Sequence, residues 1–173
     1  YGTGAFDRQT QLGCNGWGSG VGDKFDGGRG IRDPSERSKI TMAKRIVIVD
    51  DEENIGRSLR LILEREGYAV TTLLSVSSFA QAPRADLYLF DVRLPDGSGI
   101  DLLRRVLTQQ PDAPVLMISG HATIQDAVAA VKTGAFDFLE KPLSRERVLI
   151  AIARALEQRK LKEENTRLKE QLG

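Results

Sequence analysis

The chain has one cysteine and one histidine in 173 residues, and both scarcities exclude chemistry. Cys14 cannot close an internal disulfide by itself, which favours a reducing compartment. His121, the single histidine, follows a glycine, and no metal or catalytic role is expected of it. No apolar run approaches the roughly 20 residues needed to span a bilayer. The N-terminal region also lacks the continuous apolar core of a signal peptide. A cytoplasmic location is the expectation. A formal net charge of +1 offers no electrostatic basis for binding nucleic acid or a membrane surface. What remains is a hydrophobic content of 40%, enough for one core and hence one principal domain.

Residues 1–42 differ from the rest. Ten of the seventeen glycines lie between Gly2 and Gly30, with few aliphatic residues among them to offset the entropy of ordering. Disorder is expected there. The stretch Gly16–Gly22 has neither dinucleotide nor Walker spacing, and no strand precedes it. Cys14 and Trp17 are expected to have no structural part. Met42, just before the first regular element, is a candidate natural start, the preceding residues being an added or upstream extension.

From Lys44 the pattern alternates. Arg45-Ile-Val-Ile-Val-Asp50 is a β-branched run ending in acids, as buried parallel strands do. A helix over about Glu52–Glu66 follows, with Ile55, Leu59, Ile62 and Leu63 on one face and Gly67 as its stop. Tyr68–Leu73 is a second strand, and Ser75–Gln81 a short helix capped by Ser75. The stretch Asp86-Leu-Tyr-Leu-Phe-Asp91 carries a carboxylate to the end of a third strand. A Pro-Asp-Gly turn and a helix over Ile100 to about Gln110 come next. Pro114–Ser119 is a fourth strand. Its helix runs over Thr123–Thr133, with Ile124, Ala127, Val128 and Val131 on one side and Gly134 at its end. Ala135–Leu139 is a fifth strand, and a last helix begins near Ser144. Five strands alternating with five helices predict an α/β, flavodoxin-like doubly wound parallel sheet of order 2-1-3-4-5 with helices on both faces. The ligand site is then expected at the carboxyl ends of the strands.

Those ends carry Asp50 and Asp51, Asp91, Ser119 and Lys141. Packed carboxylates repel, so one takes a proton or a cation neutralises them. Oxygen ligands without a nearby His or Cys favour a hard ion, Mg²⁺ above others. A lysine beside such a site suits an incoming phosphoryl group, and a carboxylate nucleophile would give an acyl phosphate. Blander roles stay open. Asp50 or Asp51 could cap the following helix, Ser119 could end its strand, and Lys141 could be a solvated surface residue.

Ile48-Val-Asp-Asp-Glu52, Phe90-Asp-Val-Arg-Leu-Pro-Asp-Gly97, Met117-Ile-Ser-Gly-His121 and Glu140-Lys-Pro142 stand in order, each at a strand end. Together they resemble the receiver domain of bacterial response regulators over about Ala43–Leu156. Ser119-Gly-His-Ala-Thr-Ile124 and Gly134–Pro142 resemble receivers of the nitrogen-regulation type. There the receiver precedes a sigma-54-activating ATPase and a DNA-binding helix-turn-helix. The resemblance implies that Asp91 is the phosphoacceptor, taking a phosphoryl group from a sensor histidine kinase. It implies Mg²⁺ held by Asp51, Asp91 and the main-chain carbonyl of Arg93, with Asp50 in support. Lys141 and Ser119 would meet the phosphoryl oxygens, and Phe138 would be a rotating switch, although an aromatic in a core strand also serves as packing. A cis Lys141–Pro142 bond is implied as well. The chain departs from the family in a short segment between strands two and three, which predicts a stunted second helix. It departs again in having Phe138 where tyrosine is commoner.

After Leu156 the sequence turns charged. Leu161, Asn165, Leu168 and Leu172 step by four, three and four, a candidate coiled-coil seam with Asn165 setting register; a solvated helical linker over residues 157–173 is the other possibility. The output domains of the resembled subfamily are absent from this sequence, so it reads as part of a longer regulator. Phosphorylation is then expected to repack the face formed by helix four, strand five and helix five, and to drive homodimerisation. Enzymatic turnover is not expected beyond the domain's own phosphoryl transfer. Two other readings stand: an Mg²⁺-dependent phosphatase with an Asp nucleophile, disfavoured by Arg93 where a second Asp is usual, and an interaction module that is never phosphorylated.

Overall fold

The structure, a computed structural model, describes residues 42–173. The expectations for the glycine-rich stretch, Cys14 and Trp17 lie outside the described residues. Five strands form the main sheet: β1 (Arg45–Val49), β2 (Ala69–Leu73), β3 (Leu87–Asp91), β6 (Val115–Ser119) and β7 (Asp137–Glu140). Their order is β2-β1-β3-β6-β7, all parallel. This is the expected 2-1-3-4-5 arrangement once the two-residue strands β4 (Arg93–Leu94) and β5 (Gly97–Ser98), an antiparallel ribbon in the loop after β3, are set aside.

Period-two alternation divides the strands between two cores. Val47, Val49, Tyr88, Phe90, Val115 and Met117 face α3 (Gly99–Gln109), whose Leu102, Leu103 and Val106 are buried against them. Ile46, Ile48, Leu87, Leu89, Leu116 and Ile118 face α1 (Glu53–Arg65) and α5 (Arg145–Leu172), through Leu59, Leu63, Val148 and Ile152. With both faces covered, the strands are the continuous apolar runs seen in the sequence.

The second helix is stunted as expected, with α2 confined to Val76–Phe79. The Ser75 side chain accepts from Ser78 N–H, and the Asp96 carboxylate reaches from the β4–β5 turn to accept from Val76 and Ser77 N–H at 2.8 and 2.9 Å. Phe79 then meets Phe90 edge-on at 5.4 Å between ring centroids. So short a helix is held by its ends and by the edge contacts of Phe79 with Phe90 and Tyr88 rather than by length.

The helix α4 (Ile124–Thr133) carries the apolar residues Ile124, Ala127, Val128 and Val131. Its apolar stripe faces outward, with Ile124 85%, Val128 45% and Val131 57% exposed. The inner face is Ala130, with Ala127 half-buried. Small residues there let the helix lie close to its neighbours, and larger side chains on that side would hold it off. The fifth main strand starts later than expected, at Asp137. A capping box of Thr123 and Asp126 opens α4, and Gly134 closes it at φ 117°, a left-handed conformation glycine adopts without Cβ strain.

The final helix, α5, runs unbroken for 28 residues, with Ser144 as its N-cap. Its last firm anchor is Arg159, whose guanidinium donates to the carbonyl oxygens of Asp86 (2.7 Å) and Ala85 (3.4 Å). The Asp86 carboxylate in turn accepts the Arg45 N–H at 2.8 Å. Beyond it Leu161, Asn165, Leu168 and Leu172 are exposed.

Candidate functional site

Parallel register brings the strand ends to one edge. Val49 pairs with Phe90, Asp91 with Ile118, and Ser119 with Glu140, so the residues leaving β1, β3, β6 and β7 share a crevice. Asp50 is 1% exposed, Asp91 5% and Ser119 1%, the buried polar residues among those described. Carboxylates so placed need a counter-charge. Lys141 supplies it from the end of β7, where its N–H donates to the Ser119 carbonyl and the bond to Pro142 is cis.

The Lys141 Nζ donates to Asp91 Oδ2 at 2.7 Å and to Glu52 Oε1 at 2.7 Å. It also lies 2.9 Å from Asp50 Oδ2, an ion-pair distance, but off the hydrogen-bond direction. Asp50 Oδ2 therefore has no hydrogen-bond partner although it is buried. The other oxygens are tied to the backbone: Asp50 Oδ1 accepts from Glu52 N–H at 2.8 Å, and Asp91 Oδ1 from Arg93 N–H at 3.0 Å. One carboxyl oxygen each of Asp50, Glu52 and Asp91 lies within 4.8 Å of the others, and this is the acidic cluster found among the described residues.

Sequence reasoning passed over Glu52, and Asp51 is exposed and outside that cluster. The period-two alternation of an extended chain could have found this, since Asp50 and Glu52 then share one side and Asp51 takes the other. Ser119 lies at the edge of the crevice with its Oγ accepting from His121 N–H at 3.3 Å. Phe138 is half-buried and packs on the α3-side core. His121 is exposed and outside the cluster.

Burial pushes the Asp50 carboxyl above the ordinary carboxylate range, and Lys141 and the Glu52 N–H offset only part of that rise. For Lys141 burial acts to lower the pKa, but the bonds to Asp91 and Glu52 and the Asp50 charge outweigh it and hold the ammonium above its ordinary 10.5. A cation with a raised folded-state pKa contributes stability that is complete below the unfolded value and is lost as pH rises through the folded one. Unfolding free energy is therefore expected to fall above about pH 10.4 through this group. In Lys141→Met that alkaline loss disappears. The three acids then lose their counter-charge, and metal-free stability is expected to drop by about 3 kcal/mol at neutral pH. The deficit shrinks towards acid pH as Asp50, which burial holds above the ordinary carboxylate range, takes up a proton. Urea unfolding from pH 4 to 11 in chelator checks both slopes.

This fold and this crevice define the class. The response regulator receiver domain family model matches residues 46–153, and the chain belongs to that family. It is the receiver domain of a two-component response regulator. The chain is 41% identical over 134 residues to the nitrogen assimilation regulatory protein NtrX of Azorhizobium caulinodans, covering 75% of this chain and 30% of that protein. NtrX from Brucella abortus matches with a TM-score of 0.68 at 37% identity, over 73% of this chain and 30% of its own. The beryllofluoride-activated NtrC4 receiver domain dimer matches with a TM-score of 0.63 at 39% identity, over 66% of this chain and 98% of its own. The chain thus spans about 30% of the length of the NtrX protein it matches. No helix among the described residues is long and apolar enough to cross a membrane.

Proposed function

We propose that this crevice is a phosphoacceptor centre, with Asp91 taking a phosphoryl group from the phosphohistidine of a sensor histidine kinase. The observation that carries the reading is the Asp91–Lys141 pair in a crevice with a buried Asp50 oxygen that has no hydrogen bond. An Asp91 carboxylate oxygen attacks phosphorus, the bond from phosphorus to the donor nitrogen breaks, and that nitrogen leaves with the electron pair. Asp91 becomes an acyl phosphate. Lys141 exchanges its bond to Asp91 Oδ2 for the phosphoryl oxygens, and the Ser119 hydroxyl donates to them.

Family membership and the donor set both suit Mg²⁺. The buried Oδ2 of Asp50, which faces the Lys141 ammonium at 2.9 Å without a hydrogen bond, and the all-oxygen surroundings fit a hard cation. Asp91 and the main-chain carbonyl of Arg93 would hold it, with Asp50 in support and Asp51 joining only by turning in from its exposed position outside the cluster. When bound, the ion would neutralise the acids and the charge developing on the transferred group.

Output is a population shift. Movement of Ser119 and Lys141 is passed through the Phe138 switch to the face of α4, β7 and α5. There Ile124, Val128, Val131 and Ile150 already stand exposed, apolar surface that a second copy can cover. Homodimerisation through this face, with the Leu161–Leu172 seam continuing it, would act on a sigma-54-activating ATPase and a DNA-binding domain in a longer cytoplasmic regulator. Turnover is confined to the domain's own phosphoryl transfer and loss.

Intact mass after incubation with phosphoramidate tests this. One phosphoryl group is expected, dependent on Mg²⁺ and mapping to Asp91. No adduct on folded, Mg²⁺-binding protein would favour a phosphorylation-independent module. Steady hydrolysis of phosphate esters would favour the phosphatase.

A further inference from the structure

Glu52 stands in the crevice with no part in the reading above. It is the N-cap residue of α1, yet its side chain makes no capping bond. Instead it crosses to Lys141, 89 positions along the chain. Its side chain is 58% exposed, whereas those of Lys141, Asp50 and Asp91 are 9%, 0% and 7% exposed. Glu52 is thus the solvent-side carboxylate of the cluster, and it accounts for one of the ammonium's three N–H donors.

We propose that Glu52 is a positioning and specificity-determining residue, which keeps Lys141 anchored and biases the crevice towards cations and against small anionic phosphodonors. The inference rests on the phosphoacceptor reading of Asp91. Its physical basis is a conflict over Lys141. The acids that hold the ammonium, Asp50 and Asp91, are also those whose oxygens a cation needs, and Asp50 Oδ2 is already free of any hydrogen bond. Glu52 lets those two turn away while the ammonium keeps a partner. When Lys141 gives up Asp91 for a phosphoryl oxygen, the Glu52 bond keeps it at the strand edge. The same negative charge lies where a donor enters, so it attracts a dication and repels an anion.

The test uses Glu52→Gln, which removes the charge at constant shape, and Glu52→Asp, which keeps the charge but shortens the reach. In Glu52→Gln the Kd for Mg²⁺, by titration calorimetry, is expected to rise about three- to tenfold, as for loss of one unit charge a few ångströms away. The acetyl phosphate concentration giving half-maximal phosphorylation is expected to fall by a similar factor. In Glu52→Asp both constants stay near the parent values. In metal-free protein, amine labelling of Lys141 relative to the exposed Lys132 is expected to rise in both variants, because Glu52→Asp no longer reaches the ammonium and Glu52→Gln leaves it only a neutral, weaker acceptor.

A merely structural role would not move the two constants in opposite directions. Constants that stay unchanged or move together, or labelling that does not change, overturn the inference. Failure of the parent protein to take up phosphate is a different result. It removes the phosphoacceptor reading and the donor half of this inference, while the Mg²⁺ and labelling results still decide whether Glu52 holds Lys141.

Discussion

Asp91→Asn is expected to take up no phosphoryl group from phosphoramidate or acetyl phosphate at any Mg²⁺ concentration, while remaining folded. The amide loses the anionic oxygen that would attack phosphorus. If its oxygen keeps the Arg93 N–H, the NH₂ faces the Lys141 ammonium, donor against donor, and that bond is lost. Lys141 retains Glu52 and Asp50, so the buried ammonium is not left without a counter-charge. The fold is expected to survive the change that abolishes the chemistry, which separates this variant from Lys141→Met. Intact mass and a thermal melt of the same sample check both halves. Phosphate incorporation in the variant would move the acceptor elsewhere.

The second large effect is expected at a residue with no chemistry of its own. Gly99 opens α3, and its N–H donates to the Val92 carbonyl at 3.0 Å. A Cβ built on Gly99 would lie 1.9 Å from the main-chain oxygen of Asp91 and 3.1 Å from the Met117 Cε. The methionine end could move aside. The Asp91 carbonyl belongs to a buried strand end and has little room to do so. Gly99→Ala is expected to destabilise the domain by about 3–5 kcal/mol, in the range of severe backbone strain. It should also displace Asp91 enough to slow phosphorylation in whatever protein still folds. Urea unfolding gives the first quantity and initial rates of mass gain the second. A loss below about 1 kcal/mol would mean that the loop after β3 relaxes freely.

How much was legible beforehand varied with the range of the interactions involved. The five strands were readable because burial on both faces leaves continuous β-branched runs such as Ile46–Val49. The stunted α2 was readable from chain length alone, but its hold on the Asp96 carboxylate depends on residues about twenty positions apart. The helix over Thr123–Thr133 was visible as a period. Its inward face was not, because apolar spacing does not distinguish a core stripe from an exposed one when alanines can pack instead. At the site, the identities of Asp91 and Lys141 came from strand ends. Which of three consecutive acids meets the lysine depends on how the chain leaves β1, and there the motif alone passed over Glu52. The requirement for Gly99 was also hidden, since its neighbour in space is a backbone oxygen.

The unbroken α5 has a mechanical consequence. From Arg159, pinned to the Asp86 and Ala85 carbonyls, to Leu172 the helix projects 13 residues, or about 20 Å at 1.5 Å per residue. It forms a stiff arm with its fulcrum at the end of the sheet opposite Asp91. A tilt of about 5° at Arg159 would displace Leu172 by roughly 1.7 Å, more than a side-chain contact tolerates. A rearrangement too small to see in the receiver core would therefore be geared up along the arm, and whatever follows Gly173 in a longer chain would receive it as a displacement.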